Sequence, residues 1–205
     1  MVRIAEPFFL RFPAPPLVIL YFIVIIMDTI FQTSRLLFRR FVNNEEDAAL
    51  ILSMNSQPEV LKYLHEPLLQ NISDAKDMLT NHILPQYENN LGRWAVFLKD
   101  GGQFIGWCGL KFRVERNETD LGYRFIPTAW GKGYGAEAAK ACLQFGFSRL
   151  GLQVINACAH IENTASLSIL QKIGMQYTHD DRIDDCPVRC FVALKQDHSG
   201  TDAFS

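Results

Sequence analysis

Three glycines at alternate positions constrain the fold of this chain more than any other feature. Gly131, Gly133 and Gly135 lie in PTAWGKGYGAEAAKACLQFGF (Pro127–Phe147), after an apolar strand-like segment and before residues with helical apolar spacing. Glycines at a strand-to-helix turn let backbone N–H groups converge on an anion, and the helix N-terminus adds about half a positive charge there. The segment therefore predicts a strand, a turn that binds a phosphate or pyrophosphate, and a buried helix ending at Gly151.

Three kinds of phosphate-binding turn compete for this segment. A Walker loop requires Ser or Thr after Gly-Lys, but Gly133 follows Lys132. The dinucleotide fingerprint matches at Gly131, Gly133 and Ala136, but no acid for a ribose occurs near residues 153–157, and the fingerprint also requires a parallel sheet. The third kind is the loop that binds acyl-coenzyme A.

The rest of the chain from Thr33 onward predicts a single mixed α/β domain. Alternating apolar residues and turn signals indicate strands at 33–42, 94–98, 103–112 and 121–126. The pair Asp100-Gly101 indicates a hairpin between the second and third of these strands. Helices are expected to begin after Asn44, at Pro58, at Ser73 and after the glycine turn. The strands before the turn therefore form an antiparallel meander.

Three separated motifs resemble those of the GNAT superfamily of N-acetyltransferases. The segment DLGYRFIPTAWGKGYGAEA (Asp120–Ala138) resembles the core motif, and Asn163-x-x-Ser166 followed by KIGM (Lys172–Met175) resembles the second motif. The opening TSRLLFR (Thr33–Arg39) is similar to the first strand of the branch that contains the ribosomal-protein alanine N-acetyltransferases. The resemblance covers roughly residues 33–195 in the expected order.

This resemblance implies a fold and a domain division. The expected fold is α/β, with a GNAT-like mixed, mostly antiparallel sheet of about seven strands, flanked by helices and splayed at the acyl-CoA site. The N-acetyltransferase domain is expected to span residues 33–198, between an N-terminal extension at 1–32 and a disordered tail at 199–205.

The resemblance also implies which residues bind the acyl donor, acetyl-CoA. The backbone of Phe125 and Ile126 is expected to pair with the pantetheine arm, which Asn163 and Ser166 would also contact. The pyrophosphate is expected on the N–H groups of the loop, which comprises Gly131, Lys132, Gly133, Tyr134, Gly135 and Ala136. Asn163 is in addition a good N-cap for the helix that follows it.

The implied reaction is direct transfer of an acetyl group to an amine, without an acyl-enzyme. The amine must be neutral to attack, so a general base is required, and Asp120 and Glu118 are the candidates. The alternative interpretation of Asp120 is a solvated carboxylate at the start of a strand. Many superfamily members carry a tyrosine acid four residues before the last motif glycine, where this chain has Leu170. Ser166, Tyr177 and Cys158 are the candidate substitutes, and departure of the thiolate without protonation is the further alternative, since a thiol pKa is near 8.5.

The acceptor is expected to be a protein N-terminal α-amine or a small-molecule amine. The superfamily's acceptor groove corresponds to about residues 58–69 and 180–188, and the segment His179–Asp185 carries four acids that would favour a cation. An ordinary solvated hairpin explains the same acids. A non-catalytic acyl-CoA-binding sensor is the alternative function, and a nucleotide-dependent oxidoreductase is a distant third.

Composition limits the partners and the compartment. Twenty Lys and Arg against 22 Asp and Glu, with a pI of about 6.2, leave no global field for nucleic acid. Five cysteines without a CxxC pair argue against a disulfide framework and a zinc knuckle, and we expect no metal, reduced thiols and a cytoplasmic location. The protein is expected to be a monomer or a homodimer.

An apolar run, LVILYFIVIIM (Leu17–Met27), precedes the domain. As a helix it would rise roughly 17 Å, too little for a hydrocarbon core of about 30 Å. It is open to three interpretations: an anchor or uncleaved signal, an element packed on the domain, or translated sequence upstream of a true start at Met27. Membrane association is expected only if residues 17–27 are retained as an anchor.

Overall fold

The computed structural model describes residues 29–198. The apolar run at Leu17–Met27 and the expected tail at 199–205 lie outside the described residues. Within the described range, no helix is both long and apolar enough to cross a bilayer.

Eight strands form one sheet in the order β1-β2-β3-β4-β5-β6-β8-β7. The strands are β1 (Thr29–Gln32), β2 (Leu36–Arg39), β3 (Gly92–Leu98), β4 (Phe104–Arg113), β5 (Glu118–Phe125), β6 (Val154–His160), β7 (Gln176–Ile183) and β8 (Cys186–Leu194). All neighbours are antiparallel except β5 and β6. The expected fold, a mostly antiparallel sheet flanked by helices, is confirmed.

Within residues 29–198, five α-helices flank the sheet: α1 (Glu45–Asn55), α2 (Pro58–Leu61), α3 (Ile72–Met78), α4 (Tyr134–Ser148) and α5 (Thr164–Lys172). Asn44 caps α1 by accepting from the Asp47 N–H, and Asn163 caps α5 by accepting from the Ser166 N–H. Gly151, with φ of 71°, follows α4 as the spacing predicts. The helix starts are thus set by local sequence.

The sheet separates two apolar layers, because successive residues of a strand point to opposite faces. Phe38 and Val96 pack on one side with Leu143 of α4, and we name this side the α4 face. Leu37 and Phe97 pack on the other side with Ile51 of α1, and we name it the α1 face.

The parallel junction of β5 and β6 splits the sheet. The two strands pair at one position, Asp120 with Asn156. From there β5 continues to Phe125 and β6 to His160, without a further β5–β6 pair among the described residues. The sheet therefore opens toward the C-terminal ends of both strands, and the opening joins its two faces.

The first strand lies earlier in the chain than the sequence predicts. The segment predicted as one strand over 33–42 is a turn followed by the shorter strand β2, and β1 precedes the turn. Phe31 of β1 stacks on Phe38 with ring centroids 4.2 Å apart and on Phe145 of α4 at 4.8 Å. Residues 29–32, which were assigned to the extension, thus belong to the sheet.

Two cysteines are paired across neighbouring strands. Cys158 of β6 lies directly opposite Cys190 of β8, and a disulfide joins them over a Cα–Cα distance of 4.2 Å. The prediction that all thiols are reduced is therefore wrong for this pair. Cys108, Cys142 and Cys186 are free and buried. Sequence spacing did not indicate the pair, since the two cysteines are 32 residues apart.

Candidate active site

The glycine loop lies directly before α4 and leaves the first turn of that helix without a side-chain cap. Gly131 and Gly133 have φ values of 71° and 81°, which side-chain-bearing residues rarely adopt. Gly133 is the N-cap, so no side chain accepts from the first N–H groups of α4. A Cβ on Gly131 would meet no atom within 4 Å, so the space beside the loop is open. These features fit an anion on the helix N-terminus.

Elements from three parts of the chain converge at Gly135. A Cβ placed there would lie 2.9 Å from Cδ1 of Ile169 in α5 and 3.7 Å from the ring of Phe125 in β5. The end of β5, the glycine loop and α5 therefore lie together at the opening of the sheet. The predicted donor-binding residues lie on or next to these elements, whereas the predicted bases Asp120 and Glu118 lie near the start of β5.

The ladder between β4 and β5 decides which backbone groups face the opening. The Ile126 N–H donates to the Ile105 carbonyl at 3.0 Å, and the Ile126 carbonyl accepts from the Ala129 N–H at 2.9 Å. Since hydrogen-bonded positions alternate along an antiparallel ladder, the polar groups of Tyr123 and Phe125 point away from β4, toward the opening. The structure thus brings Phe125 to the site, whereas the backbone groups of Ile126 are already used within the protein.

Trp130 holds the loop against the end of β5. Its indole N–H donates to the Phe125 carbonyl at 2.7 Å, while the side chain stays exposed. A carbonyl oxygen has a second lone pair, so Phe125 retains acceptor capacity.

Ser166, in the first turn of α5, is linked to a tyrosine of β5 that the sequence analysis did not select. The Tyr123 hydroxyl lies 2.8 Å from Ser166 Oγ and donates to the Ser166 carbonyl at 3.2 Å. Burial raises the pKa of Tyr123 well above its ordinary value, although the Ser166 hydrogen bond opposes this shift. The Tyr123 hydroxyl is therefore protonated at neutral pH and can donate a hydrogen bond to Ser166.

Asp120 lies in a buried ion-pair cluster. Its carboxylate pairs with Arg93 Nη2 at 2.7 Å and with Arg113 Nη2 at 3.3 Å, and the residue is only 6% exposed. Arg93 also donates to the Gly109 carbonyl at 2.7 Å. Asp120 sits at the closed end of the junction, opposite Asn156. Two guanidinium groups hold this carboxylate away from the opening, so the contacts favour a structural role over the predicted general base.

Glu118 is also engaged away from the opening. It accepts from Arg116 Nε at 2.7 Å, and Arg116 in turn pairs with Asp181 of β7 at 2.9 Å. The role of Glu118 as a base remains a prediction. Its contact with Arg116 links the start of β5 to β7.

On the α1 face, polar groups surround the same opening. The buried Arg124 of β5 donates to Asn55 Oδ1 and pairs with the partly exposed Glu66 at 2.9 Å. The His160 ring stacks on Tyr63 with centroids 5.4 Å apart. His65 Nδ1 lies 2.9 Å from the Asp184 carbonyl, so the segment after α2 contacts the β7–β8 turn. The two segments predicted to build an acceptor groove are thus adjacent.

An ion pair between residues far apart in the sequence joins the β1–β2 turn to the first turn of α4, next to the glycine loop. Arg35 pairs with Glu137 of α4 at 2.6 Å. The two residues are 102 positions apart, so no local signal could reveal the contact.

The sheet is thus split, with the glycine loop on one side of the opening and polar groups on the other. Residues 35–176 match the family described as Acetyltransferase (GNAT) domain. The chain belongs to this family, and it is an acetyltransferase.

Two sequence relatives illustrate the similarity. The "Uncharacterized N-acetyltransferase p20" of Bacillus licheniformis is 31% identical over 151 residues, 73% of this chain and 83% of the relative. The spermidine N(1)-acetyltransferase of Escherichia coli K12 is 26% identical over 133 residues, 63% of this chain and 67% of the relative.

Solved structures agree in fold. A GNAT-family acetyltransferase from Bacillus anthracis superposes with a TM-score of 0.70 at 24% identity, covering 81% of this chain and 98% of that one. The spermidine N-acetyltransferase of Vibrio cholerae, solved with CoA and spermine, gives 0.68 at 17% identity, covering 82% and 99%.

Proposed function

We propose that this protein is an N-acetyltransferase that uses acetyl-CoA as donor and acetylates a primary amine by direct transfer. The observation that most directly supports this proposal is the opening between β5 and β6, which connects the glycine loop and α5 with the polar groups of the α1 face. A donor held on the loop and an amine approaching from the α1 face would meet there. In the reaction, the amine nitrogen forms a bond to the acetyl carbon, the carbon–sulfur bond breaks, and coenzyme A leaves as a thiol.

Two features support an amine as acceptor. The opening on the α1 face is bordered by the partly exposed Glu66 and by the β7–β8 turn with its acidic residues, and negative charge attracts an ammonium ion. Spermidine acetyltransferases are also among the relatives. A protein N-terminal α-amine and a small-molecule amine both satisfy this requirement.

The proton requirement depends on which amine is used. An α-amine with a pKa near 8 is sufficiently deprotonated at neutral pH, whereas an alkylamine near 10.4 requires about 4.6 kcal/mol from a base or from desolvation. Since Asp120 and Glu118 are both ion-paired, an α-amine suits this site better. For the leaving sulfur, Ser166 with its Tyr123 partner is the best-placed hydroxyl, and Leu170 is buried in the core.

The test is release of thiol from acetyl-CoA with a panel of N-terminal peptides, lysine peptides and polyamines, with mass spectrometry of the acceptor. We expect turnover with at least one amine and a mass increase equal to one acetyl group. Tight CoA binding without turnover across the panel would favour the acyl-CoA sensor instead. Binding of NAD in preference to CoA would contradict both functions.

A further inference from the structure

The turn between β1 and β2 is hydrogen-bonded to the first turn of α4 through one carboxylate, that of Glu137. Glu137 Oε1 accepts from Thr33 Oγ1 at 2.5 Å, from Ser34 Oγ at 3.2 Å and from the Arg35 N–H at 3.1 Å. Glu137 Oε2 accepts from Arg35 Nε at 2.6 Å and also faces Arg35 Nη2 at 2.6 Å. The guanidinium therefore binds the carboxylate with two nitrogens, a strong and directional arrangement.

Arg35 also contacts the glycine loop itself. Its Nη1 donates to the Lys132 carbonyl at 3.1 Å, and its guanidinium carbon lies 4.6 Å from the centroid of the Tyr134 ring. A Cβ on Gly133 would lie 3.5 Å from Arg35 Nη2. One side chain thus contacts the loop, the first turn of α4 and its only acidic residue.

Hydrogen bonds hold the backbone of the β1–β2 turn in place, and this fixes the point from which the Arg35 side chain extends. The Thr33 N–H donates to the Leu36 carbonyl at 2.9 Å, and the Leu36 N–H donates back to Thr33 Oγ1 at 3.0 Å. The Arg35 carbonyl accepts from the Lys99 N–H at 2.9 Å. The Arg35 side chain remains 47% exposed beside the loop.

We propose that Arg35 is a positioning residue for the donor site, which holds the Lys132 carbonyl and neutralises Glu137 so that the loop and α4 present N–H groups to a diphosphate. This inference rests on the proposed use of acetyl-CoA. Its physical basis is that Glu137 lies within the first helical turn, where its charge acts on the same anion that the helix N-terminus attracts. Without Arg35, this carboxylate would repel the diphosphate and the Lys132 carbonyl would lose its donor.

The test compares acetyl-CoA with S-acetylpantetheine, a donor that lacks the diphosphate. For Arg35→Gln we expect the Kd of CoA to rise at least about tenfold by calorimetry. We expect kcat at saturating acetyl-CoA to stay within about threefold, and kcat/KM for S-acetylpantetheine within about twofold. The double variant Arg35→Gln with Glu137→Gln should recover part of the lost affinity, because the uncompensated carboxylate is gone.

Two further variants keep the result interpretable. Lys76→Gln removes the cation from the exposed Lys76–Glu45 pair, which joins α3 to α1, and should leave all donor constants unchanged. Arg35→Lys keeps the charge but loses the planar fork, so it should bind CoA with intermediate affinity and serves if Arg35→Gln does not fold.

Two results would overturn the inference. One is a folded Arg35→Gln variant that binds CoA like the wild type, and the other is an equal loss of kcat/KM with both donors, which indicates a general structural role. Failure of the wild-type protein to bind CoA would instead refute the proposed function.

Discussion

The substitution Asp120→Asn separates a structural from a catalytic role for this carboxylate. Asp120 forms a buried pair with Arg93 at 2.7 Å and is also approached by Arg113 at 3.3 Å. Breaking a buried ion pair by neutralising one partner costs about 3–5 kcal/mol. Asparagine keeps one oxygen acceptor and Arg93 keeps its bond to Gly109, so the lower end, about 3 kcal/mol, is expected.

The assay has two readouts, stability and rate. For a domain of this size a loss of 1 kcal/mol lowers Tm by about 2–4 °C, so Tm should fall by about 6–12 °C. Well below Tm, kcat/KM should stay within about threefold of the wild type at every pH from about 6.5 to 9 if the role of the carboxylate is to hold Arg93 and Arg113 rather than to accept a proton. The control is Glu118→Gln, which removes a partly exposed pair with Arg116 and should cost less than about 1 kcal/mol.

A particular pattern would refute this reasoning. If Asp120→Asn retained the Tm of the wild type and lost rate mainly at low pH, with recovery as the acceptor amine deprotonates, Asp120 would be the general base. The structural assignment would then be wrong.

Three other predictions follow from the loop, its carboxylate and the cysteine pair. Gly133→Asp should weaken CoA binding more than about tenfold in calorimetry, since it adds strain and negative charge beside the anion site. Gly151→Asp, at a similar φ of 71° but remote from the loop, is its control and should leave the Kd unchanged. Hydrogen bonds from Thr33 and Arg35 outweigh partial burial and lower the pKa of Glu137, so its stabilising effect is present at neutral pH and is lost as pH falls through the lowered pKa. The difference in Tm between wild type and Glu137→Gln should therefore narrow below about pH 4. Alkylation of the denatured, unreduced protein should label Cys108, Cys142 and Cys186, and all five cysteines after reduction.

Each of these grouped predictions has a contradicting result. Equal CoA affinities for Gly133→Asp and wild type would remove the loop from the donor site. A Tm difference that does not change with pH would show that the Glu137 charge is not involved. Labelling of five thiols without reduction would show that Cys158 and Cys190 are not joined in solution.

Features encoded in neighbouring residues were predictable from the sequence. The glycine turn, the caps at Asn44 and Asn163, and the hairpin at Asp100-Gly101 all depend on residues a few positions apart, and the structure has each of them. The position of the glycine loop before α4 was therefore predictable from the sequence alone.

Features encoded in distant contacts were not predictable in this way. The environment of Asp120 depends on Arg93, 27 residues away, and the alternation along β5 that turns the Phe125 backbone groups toward the opening depends on its register with β4. A carboxylate at a strand start resembles a solvated base until its partners are known. The same reason hid the Tyr123–Ser166 contact, which joins residues 43 positions apart.

The single backbone pair between β5 and β6 has a consequence for how the molecule folds and opens. On either side of that seam, all strand pairs lie within one continuous stretch of the chain, β1–β5 on one side and β6–β8 on the other. We expect this seam, with α4 and α5 beside it, to be the boundary between two cooperative units of the fold. A donor that binds there, as proposed, would contact both units at once and so link the two halves of one sheet.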